Sequence, residues 1–219
     1  MQQSLIIRRL GVTEFEAISL AMQTFTAART GSTPDEVWLT EHPPVYTLGL
    51  NRKNVRQPAR DDIAVINTDR GGKITYHGPG QVIIYVMLDL TRRKLNIRGL
   101  VNLLENTVIE LLADYDVIAT SQKEAPGVYV QLKDAGIAKI ASLGLRIKNN
   151  CCYHGLSLNV EMDLTPFEAI DPCGYAGLKV MQTKNLGITA NTQTLGELLV
   201  QKLTAKLEGT SKNMVFETP

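Results

Sequence analysis

The stretch from Gly127 to Val160 reads GVYVQLKDAGIAKIASLGLRIKNNCCYHGLSLNV. Residues 127–133 and 137–147 are rich in β-branched, aromatic and other apolar side chains, and they flank the turn residues Asp134, Ala135 and Gly136. That pattern predicts a hairpin. Cys152 to Val160 supplies the next strand, with no helical stretch between. Working upstream, further strands are predicted at Val82 to Leu88, Ile74 to His77, Ala64 to Thr68, Val45 to Leu48 and Val37 to Leu39, the last two flanking a His42-Pro43-Pro44 break. A long succession of strands without intervening helices argues for a largely antiparallel, mixed sheet.

Three helices fit against it. Thr13 and Glu16 have the spacing of a capping box, and Phe15, Ile18, Met22 and Phe25 follow at helical period. A second helix is expected from about Arg98 to Asp114, with Leu100, Leu104, Val108 and Leu111 on one face. A third is expected from a second capping box, Thr194 with Glu197, through Leu199 and Leu203. The expected class is α+β, with one domain over residues 1–208 and a loose tail over 209–219.

Composition narrows the function. The 219 residues are 44% hydrophobic and 21% charged, which suits a globular domain able to bury a core without disulfides or metals. A formal net charge of +1 gives no global attraction for nucleic acid, and no apolar run is long enough to span a membrane. The first nine residues lack the apolar core of a signal peptide. Cys151, Cys152 and Cys173 cannot all pair, so a reducing, cytoplasmic setting is expected.

Several segments have the residue types that chemistry needs. Arg70-Gly71-Gly72-Lys73-Ile74-Thr75-Tyr76-His77-Gly78-Pro79-Gly80-Gln81 is glycine-rich between two strands, which implies a sharp bend or close approach to a ligand. It matches neither GxxxxGK[ST] nor GxGxxG. A tight hairpin with a bulge explains it about as well. Asp171-Pro172-Cys173-Gly174-Tyr175 sets a thiol in a turn, where a nucleophile is accessible; such a thiol needs a nearby base or cation to ionise at neutral pH. Lys139, on a strand of apolar residues, is either a desolvated amine or an ordinary edge lysine. Cys151-Cys152-Tyr153-His154 lacks a second ligand pair for zinc, and only Cys152 and His154 would share a strand face, so no metal is expected. The basic residues Arg92, Arg93, Lys94 and Arg98 suit a solvated turn or a surface for an acidic partner.

Taken together, five motifs in order resemble the octanoyltransferases, or lipoyl(octanoyl) transferases, of lipoate biosynthesis. They are Arg70-Gly-Gly-x-x-x-Tyr-His77-Gly-Pro-Gly-Gln81, Ala125-Pro-Gly-Val-Tyr-Val130, Lys139-Ile-Ala-Ser-Leu-Gly-Leu-Arg146, His154-Gly-Leu-Ser-Leu-Asn-Val160 and Pro172-Cys-Gly-Tyr175. The resemblance implies the fold of biotin- and lipoate-protein ligases. It implies transfer of octanoyl from octanoyl-acyl carrier protein to a lysine of lipoyl domains, in 2-oxoacid dehydrogenases and the glycine-cleavage H protein. It makes Cys173 the acyl carrier and Lys139 its partner, with substrate contacts at Arg70, Gly71, Gly72, Lys73, Ile74, Thr75, Tyr76 and His77, at Ser142, Leu143 and Gly144, and at Gly155, Leu156 and Ser157.

No cofactor is needed, because the donor is already a thioester. Read from residue types alone, Cys173 would pair with His77 or His154; the resemblance puts Lys139 there instead. Glycines at 71, 72, 78 and 80 would let backbone N–H groups approach an oxyanion. Rival readings are an ATP-dependent lipoate-protein ligase on the same fold, which needs no cysteine, a module that only binds acyl carrier or lipoyl domains, and an amidotransferase with a different donor.

Overall fold

The computed structural model describes residues 5–132, 136–175 and 177–210, with Cys173 and Thr210 described by their backbone only. In chain order the elements are β1 (Ile6–Val12), α1 (Phe15–Ala27), β2 (Glu36–Glu41), β3 (Val45–Leu48), β4 (Val65–Asn67), β5 (Ile74–His77), β6 (Gln81–Asp89), α2 (Ile97–Ala113), β7 (Ala119–Ser121), β8 (Gly127–Leu132), β9 (Gly136–Lys148), β10 (Cys151–Asn159), α3 (Thr165–Glu168), β11 (Lys179–Val180) and α4 (Thr192–Thr210). Short 3-10 turns cover Pro172–Gly174 and Thr183–Leu186.

An eight-stranded sheet runs β1-β2-β6-β10-β9-β8-β7, with β11 also paired to β9. Most pairs are antiparallel; β1–β2 and β11–β9 are parallel, so the sheet is mixed. A second sheet, β4-β3-β5, stands beside it. The predicted α+β class and mixed sheet are therefore observed. The central strand β6 explains the unbroken apolar run at Val82 to Leu88, because both its faces are covered. Val82, Ile84, Val86 and Leu88 pack with Leu100, Leu104 and Val108 of α2 and Leu195, Leu199 and Leu203 of α4. Ile83, Tyr85 and Met87 face Ile18 and Met22 of α1, with Trp38 and Tyr153. The small sheet has its own core of Tyr46, Leu48, Ile74 and Tyr76 against Phe167 and Ile170.

Neither expected capping box forms. α1 begins at Phe15 after Glu14, which makes no side-chain cap, while Thr13 Oγ1 instead meets Thr40 Oγ1 at 2.8 Å. α4 begins at Thr192, so Thr194 lies inside the first turn, and its N–H is taken by Asn191 Oδ1 at 2.9 Å. At both ends a neighbouring polar side chain satisfies an otherwise orphaned helix N–H, or offers the threonine a better partner. α2 is capped by Asn96, whose side chain accepts from Gly99 N. Gly209 and Thr210 belong to α4, and the rest of the expected tail, 211–219, lies outside the described residues. The β8–β9 hairpin is observed to Leu132↔Gly136, with residues 133–135 of its turn outside the described residues. β1 escaped the sequence reading. It pairs parallel to β2 across α1, a register that only the crossover creates.

Candidate active site

The loop and strand from Arg70 to His77 roof the large sheet where β9 and β10 lie side by side. Gly71 N–H donates to Leu145 O at 2.8 Å, which ties the roof to β9. A Cβ at Gly144 would stand 3.0 Å from Arg70 Cδ and 3.1 Å from Gly71 O, and one at Gly155 only 2.0 Å from Ile84 O. Backbone approach thus requires glycine at 155, while at 144 a side chain would fit only if the roof gave way slightly. Between roof and floor is a cleft lined by Arg70, Gly72, Lys73, Ile74, Thr75 and His77 above, and by Ser142–Gly144 and Gly155–Ser157 below, with Pro172 beside them. Gly71 lines the adjoining cleft instead. Tyr76 alternates away into the small-sheet core, against Tyr46 and Phe167.

The polar groups around the cleft are tightly partnered. Arg70 is buried and donates from Nη2 to Thr47 O at 2.6 Å and from Nη1 to Gly71 O at 2.9 Å, so its guanidinium stiffens the roof. His77 is buried, which pushes its pKa down to about 3, and its Nδ1–H donates to Gln81 Oε1 at 2.8 Å. His154 Nε2–H donates to Asp69 Oδ1 at 2.9 Å, and Tyr153 OH donates to the same carboxylate. Those bonds hold the Asp69 carboxyl at about 2. Burial keeps His154 neutral by lowering its pKa, and its Nδ1 has no hydrogen-bond partner among the described residues. The expectation that Cys152 and His154 share a face fails. His154 has φ 62°, and this left-handed kink breaks the strand alternation: Cys152 enters the core under α2 and α4, while His154 lines the cleft.

Lys139 is buried to 2% exposure, on β9 opposite Tyr129 of β8. Its ammonium donates to Pro126 O at 2.9 Å and to Tyr129 Oη at 3.2 Å, and stands 5.1 Å from the Tyr129 ring centre. Tyr129 OH in turn donates to Ala125 O at 2.7 Å. Gly127 makes room for the lysine, since a Cβ there would lie 2.6 Å from Nζ, and its N–H is held by the buried carboxylate of Glu105 at 2.9 Å. The Pro172–Gly174 turn closes on Gly174 N–H to Asp171 O at 2.8 Å. The thiol of Cys173 lies outside the described residues. Pro172 lines the main cleft, and Tyr175 lines the adjoining one together with Pro126, Lys73 and Gly144. The turn bearing Cys173 and Pro126, whose carbonyl holds Lys139, thus line two adjoining clefts that share Gly72, Lys73, Leu143 and Gly144.

The other cysteines are poor nucleophiles. Cys152 is buried, donates to Val86 O, and has its thiol pushed up to about 12; burial also raises Cys151. Among the described residues no three His, Cys, Asp or Glu side chains gather as a metal site, and no helix is long and apolar enough to cross a membrane. The basic run is not an outward face as a whole. Arg93 and Arg29 are buried on Asp35 at 2.6 Å each, and Arg92 donates to the carbonyls of Thr33 and Gly31. Sequence reasoning missed Asp69, Glu105 and Tyr129 as partners. Asp69 and Tyr129 adjoin or fall within the quoted motifs, whereas Glu105 had no signal beyond its place on the apolar face of α2.

The match to known proteins follows this geometry. Residues 15–205 fit the model of the lipoyl protein ligase A/B catalytic domain. An octanoyltransferase of Dechloromonas aromatica is 53% identical over 203 residues, covering 93% of this chain and 97% of that protein. One of Nitrosomonas europaea is 53% identical over 201 residues, covering 92% and 96%. In fold, the chain is similar to a bipartite lipoate protein ligase of Thermoplasma acidophilum, with a TM-score of 0.71 at 13% identity over 96% of this chain and 91% of that one. A biotin protein ligase of Aquifex aeolicus gives 0.55 at 11% identity, covering 97% and 72%. With nearly its whole length matched at such identity, the chain belongs to the lipoyl protein ligase A/B catalytic-domain family and, within it, to the octanoyltransferases.

Proposed function

We propose that the chain transfers an octanoyl group from octanoyl-acyl carrier protein to a lysine of lipoyl domains, through a thioester on Cys173. The acceptors are lipoyl domains of 2-oxoacid dehydrogenases and the glycine-cleavage H protein, and the setting is the cytoplasm. The observation that supports this reading is the Lys139 ammonium, buried and held by Pro126 O and Tyr129 Oη, with Pro126 lining the same cleft as Tyr175, the residue that follows the Pro172–Gly174 turn. A cation near a thiol favours the thiolate, which is the reacting form. The histidine alternative is weaker. His77 is committed to Gln81 and is far too weak a base at neutral pH, and His154 is committed to Asp69.

In the first step the Cys173 thiolate attacks the donor carbonyl. A new C–S bond forms, the donor's C–S bond breaks, and the carrier leaves as a thiolate that takes up the proton Cys173 had given up. In the second, the acceptor lysine's neutral amine attacks the same carbonyl. The C–N bond forms, the Cys173 C–S bond breaks, and the amine's surplus proton passes to the thiolate or to a base beside it. Exchange between thioesters is nearly isoenergetic and amide formation runs downhill, so no ATP enters. Of the roof's glycines, Gly71 N–H is already given to Leu145 O and Gly80 N–H to Glu41 Oε2, which leaves Gly72, on the cleft wall, as the backbone candidate for the developing oxyanion.

Intact-mass spectrometry after mixing the full chain with octanoyl-acyl carrier protein, without ATP or magnesium, tests this. One octanoyl adduct is expected, mapping to Cys173 and absent in Cys173→Ala. An adduct on Cys151 or Cys152, or full turnover by Cys173→Ala, overturns it. A strict need for ATP would point to the ligase reading instead.

A further inference from the structure

The floor of the cleft is graded across three registered strands. In one row Gly144 of β9 lies opposite Gly155 of β10, which lies opposite Tyr85 of β6. In the next, Ser142 lies opposite Ser157, which lies opposite Ile83. Each row reads small, small, large. Directly opposite residues share a sheet face, so the two rows form a trench that starts at β9 and stops against Tyr85 and Ile83. All six residues line the cleft, as does Phe15 from the first turn of α1.

The stop is rigidly built. Tyr85 Oη is 2.6 Å from His42 Nε2, and His42 Nδ1 is 2.6 Å from Thr13 O. Burial keeps His42 neutral, so Nδ1–H donates to the carbonyl and Nε2 accepts from the tyrosine. Phe15 is 3% exposed and lies between two imidazoles, stacked on His77 at 6.1 Å and edge-on to His42 at 5.6 Å. None of these side chains can swing aside without breaking a buried contact.

We propose that Phe15, Ile83 and Tyr85 form the end wall that sets acyl-chain length, an inference that rests on the acyl-transfer reading above. The reacting end lies on the β9 side, where Tyr175, which follows the Pro172–Gly174 turn, lines the adjoining cleft with Leu143, Gly144 and Leu145. Two strand spacings of about 4.8 Å separate β9 from β6, giving a trench of about 10 Å. An extended eight-carbon acyl chain, with C–C bonds of about 1.5 Å in zigzag, is about 9 Å long. Two more methylenes add about 2.5 Å and meet the wall. Shorter chains fit but leave apolar surface unfilled.

The test compares kcat/KM for acyl-enzyme formation with hexanoyl-, octanoyl-, decanoyl- and dodecanoyl-acyl carrier proteins. In the unaltered chain decanoyl should fall at least about tenfold below octanoyl, the usual scale for a methylene that a pocket rejects. Phe15→Ala should raise the decanoyl-to-octanoyl ratio at least about tenfold, and Ile83→Val should move it the same way by less while disturbing the core little. Ser157→Val, which fills the trench, should shift preference toward hexanoyl. Unchanged ratios in folded Phe15→Ala and Ile83→Val, or a natural chain that takes dodecanoyl as well as octanoyl, overturn the wall. If no acyl-enzyme forms at all, it is the transfer reading that fails. The wall is then read from calorimetric binding of free six- to twelve-carbon fatty acids to Cys173→Ala, where a maximum at eight supports it and a monotonic rise to twelve overturns it.

Discussion

All three histidines of the chain, His42, His77 and His154, are buried and lie within the cleft or its end wall, and burial lowers the pKa of each. Acid should therefore destabilise the enzyme well above the carboxylate range. The sign follows from proton counts: below the unfolded histidine pKa, the unfolded chain binds protons that the native state refuses, so native stability falls as pH falls. For His77 the pKa drops from 6.5 to about 3. Each pH unit between those values removes about 1.4 kcal/mol, so passing from pH 8 to pH 5 costs about 2 kcal/mol from His77 alone. His42 and His154 act in the same direction. Against a typical domain stability of about 5–15 kcal/mol this is a large loss. Urea unfolding of the full chain at half-unit steps from pH 8 to pH 5 measures it, and NMR of the imidazole C–H protons identifies the group. The His77 signal should not titrate above pH 4. A stability curve flat between pH 7 and pH 5, or a His77 signal titrating near 6.5, would refute the burial argument. The latter result would also return His77 to the field as a base for Cys173.

Four further variants probe the surroundings of Lys139 and Asp35. Lys139→Ala should raise the alkylation pKa of Cys173 and nearly abolish acyl-enzyme formation. Lys139→Arg should restore alkylation but not turnover if the amine serves as a base, since arginine holds its proton; equal turnover in Lys139→Arg would leave only a role for charge. Gly127→Ala puts a Cβ 2.4 Å from Lys139 Cε and 2.8 Å from Ala141 O, at a backbone φ of 148°, so it should displace both the ammonium and the strand that holds its acceptors. Misplacement on that scale should slow acyl-enzyme formation by about a hundredfold in stopped-flow, and a rate within threefold of normal would show that the lysine position is not critical. Asp35→Asn removes the charge partner of two buried guanidiniums, Arg29 and Arg93, and should cost about 3–5 kcal/mol in urea unfolding while leaving acyl-chain preference unchanged.

Much of the architecture was legible because local pattern and burial coincide. The apolar run at Val82 to Leu88 read as a strand, which the structure shows covered on both faces, and the apolar stripe of α2 read as a helix packed on the sheet. Turn chemistry and period marked the β8–β9 hairpin, and five ordered motifs marked the family. Glycines at 144 and 155 stood within those motifs, although the reason for them, backbone approach from Gly71 and from Ile84, appears only once the strands are packed.

What the sequence by itself determined was the class of fold, the positions of most strands along the chain and the family, and through the family's motifs it pointed to Lys139 and Cys173, because these depend on short-range periodicity and on motif identity. Tertiary structure alone decided the rest. It turned His154 out of its expected face through a left-handed backbone, and drew Arg93 onto a buried Asp35 away from solvent. It aimed Lys139 with acceptors supplied by the neighbouring strand and the loop before it. It also aligned Gly144 and Gly155 of the β9–β10 pair with Tyr85 of β6, distant in sequence, into one row. Those features depend on inter-strand register and on which charge finds which partner when water is excluded, and neither is written in any local stretch of the chain.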